Sequence, residues 1–219
     1  MCSAFDGSKS VIMAQSNFCK DKARCLIAVK QKEAMPHSID FDGLESDLFI
    51  LQHTAYGSRE FCEKFDLNSD CYGGDYEWWE YKGILKTHVS NKIIEAAIKV
   101  RMLQDFAKHD SDDIDLKTID ADCRSGLSIG SFKGLPTLLT LRESCNKIVH
   151  ATEARMQWKN SKTKPEVEYW SGGYELLGEF QGKKWQVDLS IPEWCTSMIR
   201  FNKAIQETVD WQHVEKYDV

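Results

Sequence analysis

Residues 77–108 read EWWEYKGILKTHVSNKIIEAAIKVRMLQDFAK and contain the most regular hydrophobic pattern in the chain. Apolar side chains recur there every three or four residues, which is the spacing of one helix face. These positions are Leu85, Val89, Ile93, Ala96, Val100, Leu103 and Ala107. At 1.5 Å per residue the seam extends for about 45 Å. Because a helix this long needs packing partners along its length, the pattern predicts further helices around it.

Three other segments, at 44–66, 136–157 and 191–211, also show helical periodicity. Pro136 suits the first turn of a helix, where its missing N–H costs nothing. Ser190 and Glu193 have the spacing of a capping box, which would start the last helix. The buried stripe predicted for 136–157 consists of Leu138, Leu141, Cys145, Ile148, Thr152 and Met156.

The segment 166–189, EVEYWSGGYELLGEFQGKKWQVDL, has a different character. It is rich in aromatic residues and Val, with turn signals at Gly172-Gly173 and Gln181-Gly182, and it predicts a small antiparallel meander of two or three strands. Together these patterns predict a mainly α, four-helix bundle-like fold with that β element. We expect a single domain over residues 1–219, a helical core at about 44–211 and an unassigned segment at 1–40.

The composition of the chain argues against several classes of protein function. The chain has 219 residues and a net charge of −6, which argues against indiscriminate binding to nucleic acid. No run of uncharged apolar residues is long enough to span a membrane. The eight cysteines include no C-x-x-C pair, so we predict reduced thiols in a cytoplasmic protein, with no metal site and no cofactor. Seven Asp and two Lys between 105 and 122 indicate a solvated acidic connector, within a loop predicted at 109–134.

The helix predicted after Pro136 contains the candidate catalytic residues Arg142, Asn146 and His150, spaced four apart. At 100° per residue they form one polar stripe beside the apolar one. Arginine can bind a phosphate bidentately, asparagine can orient a partner, and histidine can exchange a proton near neutral pH. Metal-independent cleavage of an RNA phosphodiester requires such a set. A net charge of +4 over 142–164 could face phosphate, or it could be an ordinary solvated surface.

The local sequence C-N-K-I-V-H-A, residues 145–151, resembles the signature of HEPN (higher eukaryote and prokaryote nucleotide-binding) domains. This all-helical family includes metal-independent ribonucleases, and its members typically dimerise so that two motif helices form one cleft. The resemblance implies an endoribonuclease acting on RNA, in a toxin or phage-defence setting, with Arg142, Asn146 and His150 in the cleft of a homodimer.

The motif departs from the family at one position. Cys145 stands where the family has its arginine, and Arg142 lies three residues earlier, with seven residues between it and His150. The alternative is therefore a non-catalytic helical module that dimerises or binds a protein partner. The two hypotheses predict different surroundings for Arg142: hydrogen-bond reach of His150 for the ribonuclease, and an ion pair elsewhere for the binding module.

Overall fold

The computed structural model describes residues 40–70, 74–110, 114–134 and 138–209, which belong to one unit, Ile39–Val209. The described elements are α1 (Phe41–Lys64), α2 (Trp78–Asp110), α3 (Leu116–Cys123), β1 (Gly130–Phe132), α4 (Leu141–His150), β2 (Glu153–Asn160), β3 (Glu168–Phe180), β4 (Lys183–Ser190) and α5 (Ile191–Thr208). The segment 1–39, Pro136 and four of the cysteines (Cys2, Cys19, Cys25, Cys71) lie outside the described residues.

The long helix predicted from the apolar seam is present as α2, and the seven seam residues are buried. Helix α2 packs against α1, α4 and α5, while α1, α4 and α5 also pack against β3. Burial alternates along β3, so that Trp170, Tyr174 and Leu176 lie on the face that the helices cover. The core therefore lies between this sheet face and the helices.

The four strands form one antiparallel sheet in the order β1-β4-β3-β2. The predicted turn at Gln181-Gly182 is confirmed: it joins β3 to β4, with φ of 50° and 76° at its two residues. The predicted turn at Gly172-Gly173 is wrong, because both glycines lie inside β3. A Cβ atom on Gly173 would lie 2.2 Å from Oε1 of Gln157 on the neighbouring strand, so a larger residue there would require the Gln157 side chain to move.

The predicted mainly α, four-helix bundle-like fold is wrong: the chain has a mixed α/β fold with five described helices and a four-stranded sheet. Much of the difference lies in the segment 136–157. Helix α4 ends at His150, Ala151 is extended (φ −66°, ψ 131°), and β2 begins at Glu153. Ala154 pairs with Leu176, and Met156 pairs with Tyr174. Side chains two or four residues apart lie on the same face of a strand, and side chains four apart also lie on the same face of a helix. Over so short a segment the apolar positions therefore fit either structure.

The predicted loop at 109–134 contains α3 and β1 in its described part. The side chain of Asp115 caps α3 by accepting hydrogen bonds from the N–H groups of Lys117 and Thr118. Asp120 is buried, and it accepts a hydrogen bond from the N–H of Leu141 at 2.7 Å while pairing with Arg124. Part of the acidic segment therefore belongs to the folded core, where both carboxylate oxygens of Asp120 have a partner.

The capping box predicted from Ser190 and Glu193 is wrong. Ser190 precedes α5 without a side-chain cap hydrogen bond, and the Glu193 carboxylate instead accepts from the N–H of Ser128 at 2.8 Å. The capping box lies at α4, where Thr140 and Glu143 each satisfy the other's backbone N–H. Residues 140–143, TLRE, carry the same S/T-x-x-E signature, and they predict the observed helix start at Leu141.

Candidate functional site

Helix α4 carries all three residues of the predicted catalytic stripe, but at different places along its length. Arg142 is in the first turn, Asn146 is one turn later, and His150 is the last helical residue. His150 is eight positions after Arg142, which corresponds to about 12 Å along a helix axis. The stripe therefore extends along the whole short helix.

Arg142 points toward α2. Its Nη2 atom lies 2.8 Å from Oδ1 of Asp105, and its Nη1 atom donates to Oε1 of Gln104 at 3.4 Å. Both ion-pair partners are about half exposed, with side-chain exposures of 45% and 57%. The guanidinium is thus held at the interface of α4 and α2, in the arrangement that the binding-module hypothesis predicts.

Cys145, at the family's arginine position, is fully buried. Burial raises the pKa of its thiol to about 12, and the nearby guanidinium groups of Arg101 and Arg142 oppose that shift only in part. A charged side chain at this position would point into the core between helices. The backbone therefore turns position 145 inward and gives the arginine of the family motif no route to solvent.

Asn146 is half-buried and His150 is exposed, so both are accessible from solvent. Lys147, between them in sequence, has its ammonium group 4.2 Å from the ring centroid of Trp185 and 5.3 Å from that of Phe132. Burial lowers the pKa of Lys147, against the opposing charge of Glu143. This lysine lies across the aromatic rings of β4 and β1 and shields their apolar surface.

Most of the basic residues between 142 and 164 are engaged within the chain. Arg155 pairs with Glu153 and with Glu175 on β3. Lys164 pairs with Asp66 and donates a hydrogen bond to the carbonyl oxygen of Glu63 at 2.6 Å. Arg142 is ion-paired as well, and Lys147 contacts aromatic rings, so the basic side chains are distributed over several elements and part of their charge is neutralised by ion pairs.

Tryptophan side chains can stack on nucleic-acid bases, but most of the four at positions 78, 79, 170 and 185 pack within the protein. Trp78 and Trp170 are buried. The ring of Trp185 covers Gly178, where a Cβ atom would lie 2.1 Å from the indole. Trp79 is 60% exposed, and the Lys82 ammonium lies 5.5 Å from its ring centroid. Packing rather than stacking accounts for most of this set.

A surface that the sequence analysis missed lies on the outer side of α2, opposite the buried seam. We call it the outer strip and define it as Ile84, Asn91, Ile94 and Ile98. The three isoleucines are 68%, 43% and 44% exposed, and Asn91 is exposed as well. Residues 84, 91 and 98 are seven apart and 94 lies between the last two, which is the a and d spacing of a helix-pairing seam. That spacing is the signal that could have identified the strip, since outward helix positions ordinarily carry charged side chains.

Charges beside the outer strip are neutralised along one edge. Lys92 contacts both Asp47 on α1, at 2.7 Å, and Glu95, at 3.4 Å. Lys99 contacts the same Asp47 and Glu95. This edge of the outer strip therefore carries a balanced network of two lysines and two carboxylates, with no charge excess.

Among the described residues, no group of three or more His, Cys, Asp or Glu side chains is arranged to hold a metal ion. None of the described helices is both long and apolar enough to cross a membrane. The described cysteines, Cys62, Cys123, Cys145 and Cys195, are all free thiols.

Comparisons of the chain with protein-family models, with curated proteins and with solved structures found no match.

Proposed function

We propose that this protein is a non-catalytic binding module of the cytoplasm that docks a helix of a protein partner on the outer strip of α2. The observation that carries the proposal is the exposure of Ile84, Ile94 and Ile98 on one side of a helix whose other side forms the core. Aliphatic side chains aligned with helical spacing are the usual anchors of helix pairing. The ion pair of Arg142 with Asp105 supports the same conclusion, because it engages the arginine that RNA cleavage would need.

The proposal is tested by the size of a tagged form in concentrated native extracts of overexpressing cells, in which the tagged protein is kept at roughly tens of micromolar or above. We expect the wild-type protein to migrate above its monomer mass, and Ile94→Glu/Ile98→Glu to migrate as a monomer. A control is Tyr56→Glu, which changes a side chain on α1 that is more exposed (67%) than Ile94 and Ile98. Wild type at monomer mass, or strip and control variants of equal size, would contradict the docking function.

The ribonuclease is the second candidate, and one observation favours it: Asn146 and His150 are accessible from solvent on successive turns of α4. In that case purified protein would cleave tRNA, mRNA or single-stranded oligomers in the presence of EDTA. Loss of a proton-transfer group would lower the rate of that cleavage by roughly 10²–10⁴-fold in His150→Ala. Absence of chelator-resistant cleavage, or cleavage that His150→Ala leaves unchanged, would exclude this function.

A further inference from the structure

Two isoleucines of the outer strip, Ile84 and Ile98, are placed symmetrically about Asn91. Ile84 precedes Asn91 by seven residues and Ile98 follows it by seven, so the two isoleucines lie about 10 Å on either side of it along the axis. A second α2 laid antiparallel, with the two-fold axis at Asn91, would therefore place each Ile84 against the partner's Ile98. Such self-complementarity is what an isologous interface between identical chains requires.

Asn91 is suited to the position on the axis. An amide side chain carries both a donor and an acceptor, so two Asn91 side chains facing each other can satisfy one another. A lone asparagine in an apolar helix seam fixes the pairing and register of the helices at some cost in stability. Against an unrelated apolar helix, the same amide would be buried without a partner, which is unfavourable. Asn91 thus favours a second copy over other occupants.

The charges at the two ends of the strip favour the antiparallel orientation. Glu80 is exposed eleven residues before Asn91, and Arg101 is half-buried ten residues after it. The Nε atom of Arg101 is buried without a hydrogen-bond partner, and none of the ion pairs among the described residues includes this guanidinium. Antiparallel pairing brings Glu80 of one chain toward the partner's Arg101, whereas parallel pairing would oppose like charges at both ends.

We propose, building on the docking function of the outer strip, that its partner is a second copy of this chain, paired antiparallel through α2 with Asn91 at the two-fold axis. Three isoleucines per chain make a small interface, so the dimer is weak. It forms in the purified protein, without any other component.

The first experiment is sedimentation equilibrium of the purified full chain over a range of concentrations. We expect reversible dimerisation at roughly tens of micromolar protein or above. Ile98→Glu should abolish it, and Asn91→Asp should weaken it roughly tenfold or more at neutral pH, because two carboxylates would then face each other. Tyr56→Glu should dimerise as the wild type does. Circular dichroism and urea denaturation show that each variant is folded before its mass is compared.

Orientation is tested with cysteines placed on the strip and oxidised at dimer-forming concentration. A disulfide requires Cα atoms within about 7 Å of each other. In an antiparallel pair, a mixture of Ile84→Cys and Ile98→Cys proteins should give a disulfide between positions 84 and 98, identified by mass spectrometry of the linked peptides. Neither variant alone should link to itself at that position, because the two equivalent residues are about 21 Å apart along the axis.

The outcomes separate the two proposals. A purified chain that stays monomeric, while the native-extract complex depends on the strip, would overturn the second-copy inference and leave the docking function with a different partner. Self-linking of Ile84→Cys would overturn the antiparallel arrangement. Wild type that is monomeric both purified and in extracts would overturn both proposals.

Discussion

Position 145 shows how one side chain changes the meaning of a motif. In sequence, Cys145 is the missing arginine of a motif that also contains Asn146 and His150. In the structure, the Cys145 side chain is fully buried on the inward face of α4, whereas Asn146 and His150 reach solvent. The departure is therefore more than the loss of a charge, because the helix orients this position toward the core.

Replacing Cys145 by arginine should destabilise the protein instead of creating a site. We expect Cys145→Arg to lower the free energy of unfolding by about 3 kcal/mol or more, since it adds both volume and an unpaired charge to the core. Asn146→Arg, on the adjacent half-buried position, should change it by only about 0.5 kcal/mol. Urea denaturation followed by fluorescence measures both. A Cys145→Arg protein of wild-type stability that cleaves RNA would refute this interpretation.

At the scale of elements, single polar contacts join α4 to its neighbours. The indole N–H of Trp194 on α5 donates to Oγ of Ser144 on α4 at 2.8 Å, and this hydroxyl donates to the carbonyl oxygen of Leu141 at 2.7 Å. Ser144 and Trp194 are both fully buried. The position of α4, and with it the orientation of its polar face, therefore depends on a hydrogen bond shielded from water.

Ser144→Ala should cost about 1–3 kcal/mol in the free energy of unfolding, because the indole N–H would be left buried without an acceptor. Trp194→Phe removes that donor, so the Ser144→Ala/Trp194→Phe double variant should lose less than the sum of the two single losses. Thermal or urea unfolding of the four proteins completes the cycle. Strictly additive losses would show that the hydrogen bond does not link the helices energetically.

The loop between β2 and β3 is attached to α1 through Glu63. The hydroxyl groups of Ser161 and Thr163 both donate to its carboxylate, the latter at 2.7 Å. These hydrogen bonds lower the pKa of Glu63 below its ordinary value, with smaller contributions from Arg59 and Lys164. The contacts favour the ionised form of Glu63, so their contribution to the free energy of unfolding depends on pH.

A lowered carboxyl pKa stabilises the fold above the unfolded pKa of about 4.3, and the contribution is lost as pH falls through the folded value. We expect the Glu63 side-chain resonance to titrate at lower pH in wild type than in Ser161→Ala/Thr163→Ala. Glu63→Gln should remove this part of the acid dependence of stability. NMR titration and unfolding curves between about pH 2 and 7 are the measurements. Identical titration of Glu63 in both proteins would show that Ser161 and Thr163 do not stabilise its ionised form.

At the scale of the whole molecule, the described cysteines should report global unfolding. Cys62, Cys123, Cys145 and Cys195 are buried free thiols. Burial raises the pKa of each, to about 11 for Cys123 and about 12 for Cys145. Because the thiolate is the reactive form, all four should resist iodoacetamide in native protein. Their labelling should follow the urea unfolding curve, and rapid labelling of any one in native protein would indicate local opening at that site.

Local chemistry accounts for the parts of this fold that the sequence predicted well. Seven apolar positions on one face specified α2, and the pair Gln181-Gly182 specified the hairpin turn, because this turn has left-handed backbone at both positions and glycine adopts that conformation readily. Each signal is contained in the residues that adopt the structure. Such signals depend little on tertiary contacts with the rest of the chain.

Tertiary contacts decided what those local signals left ambiguous. Residues 153–160 fit a helical stripe or a strand, and pairing with β3 made them β2, since β3 supplies hydrogen bonds to the backbone groups that face it. Contacts between helices likewise buried Cys145 and paired Arg142 with Asp105. The sequence alone placed Arg142, Asn146 and His150 on one helix, but only the packing of that helix determined which of its side chains point inward, which are ion-paired and which reach solvent.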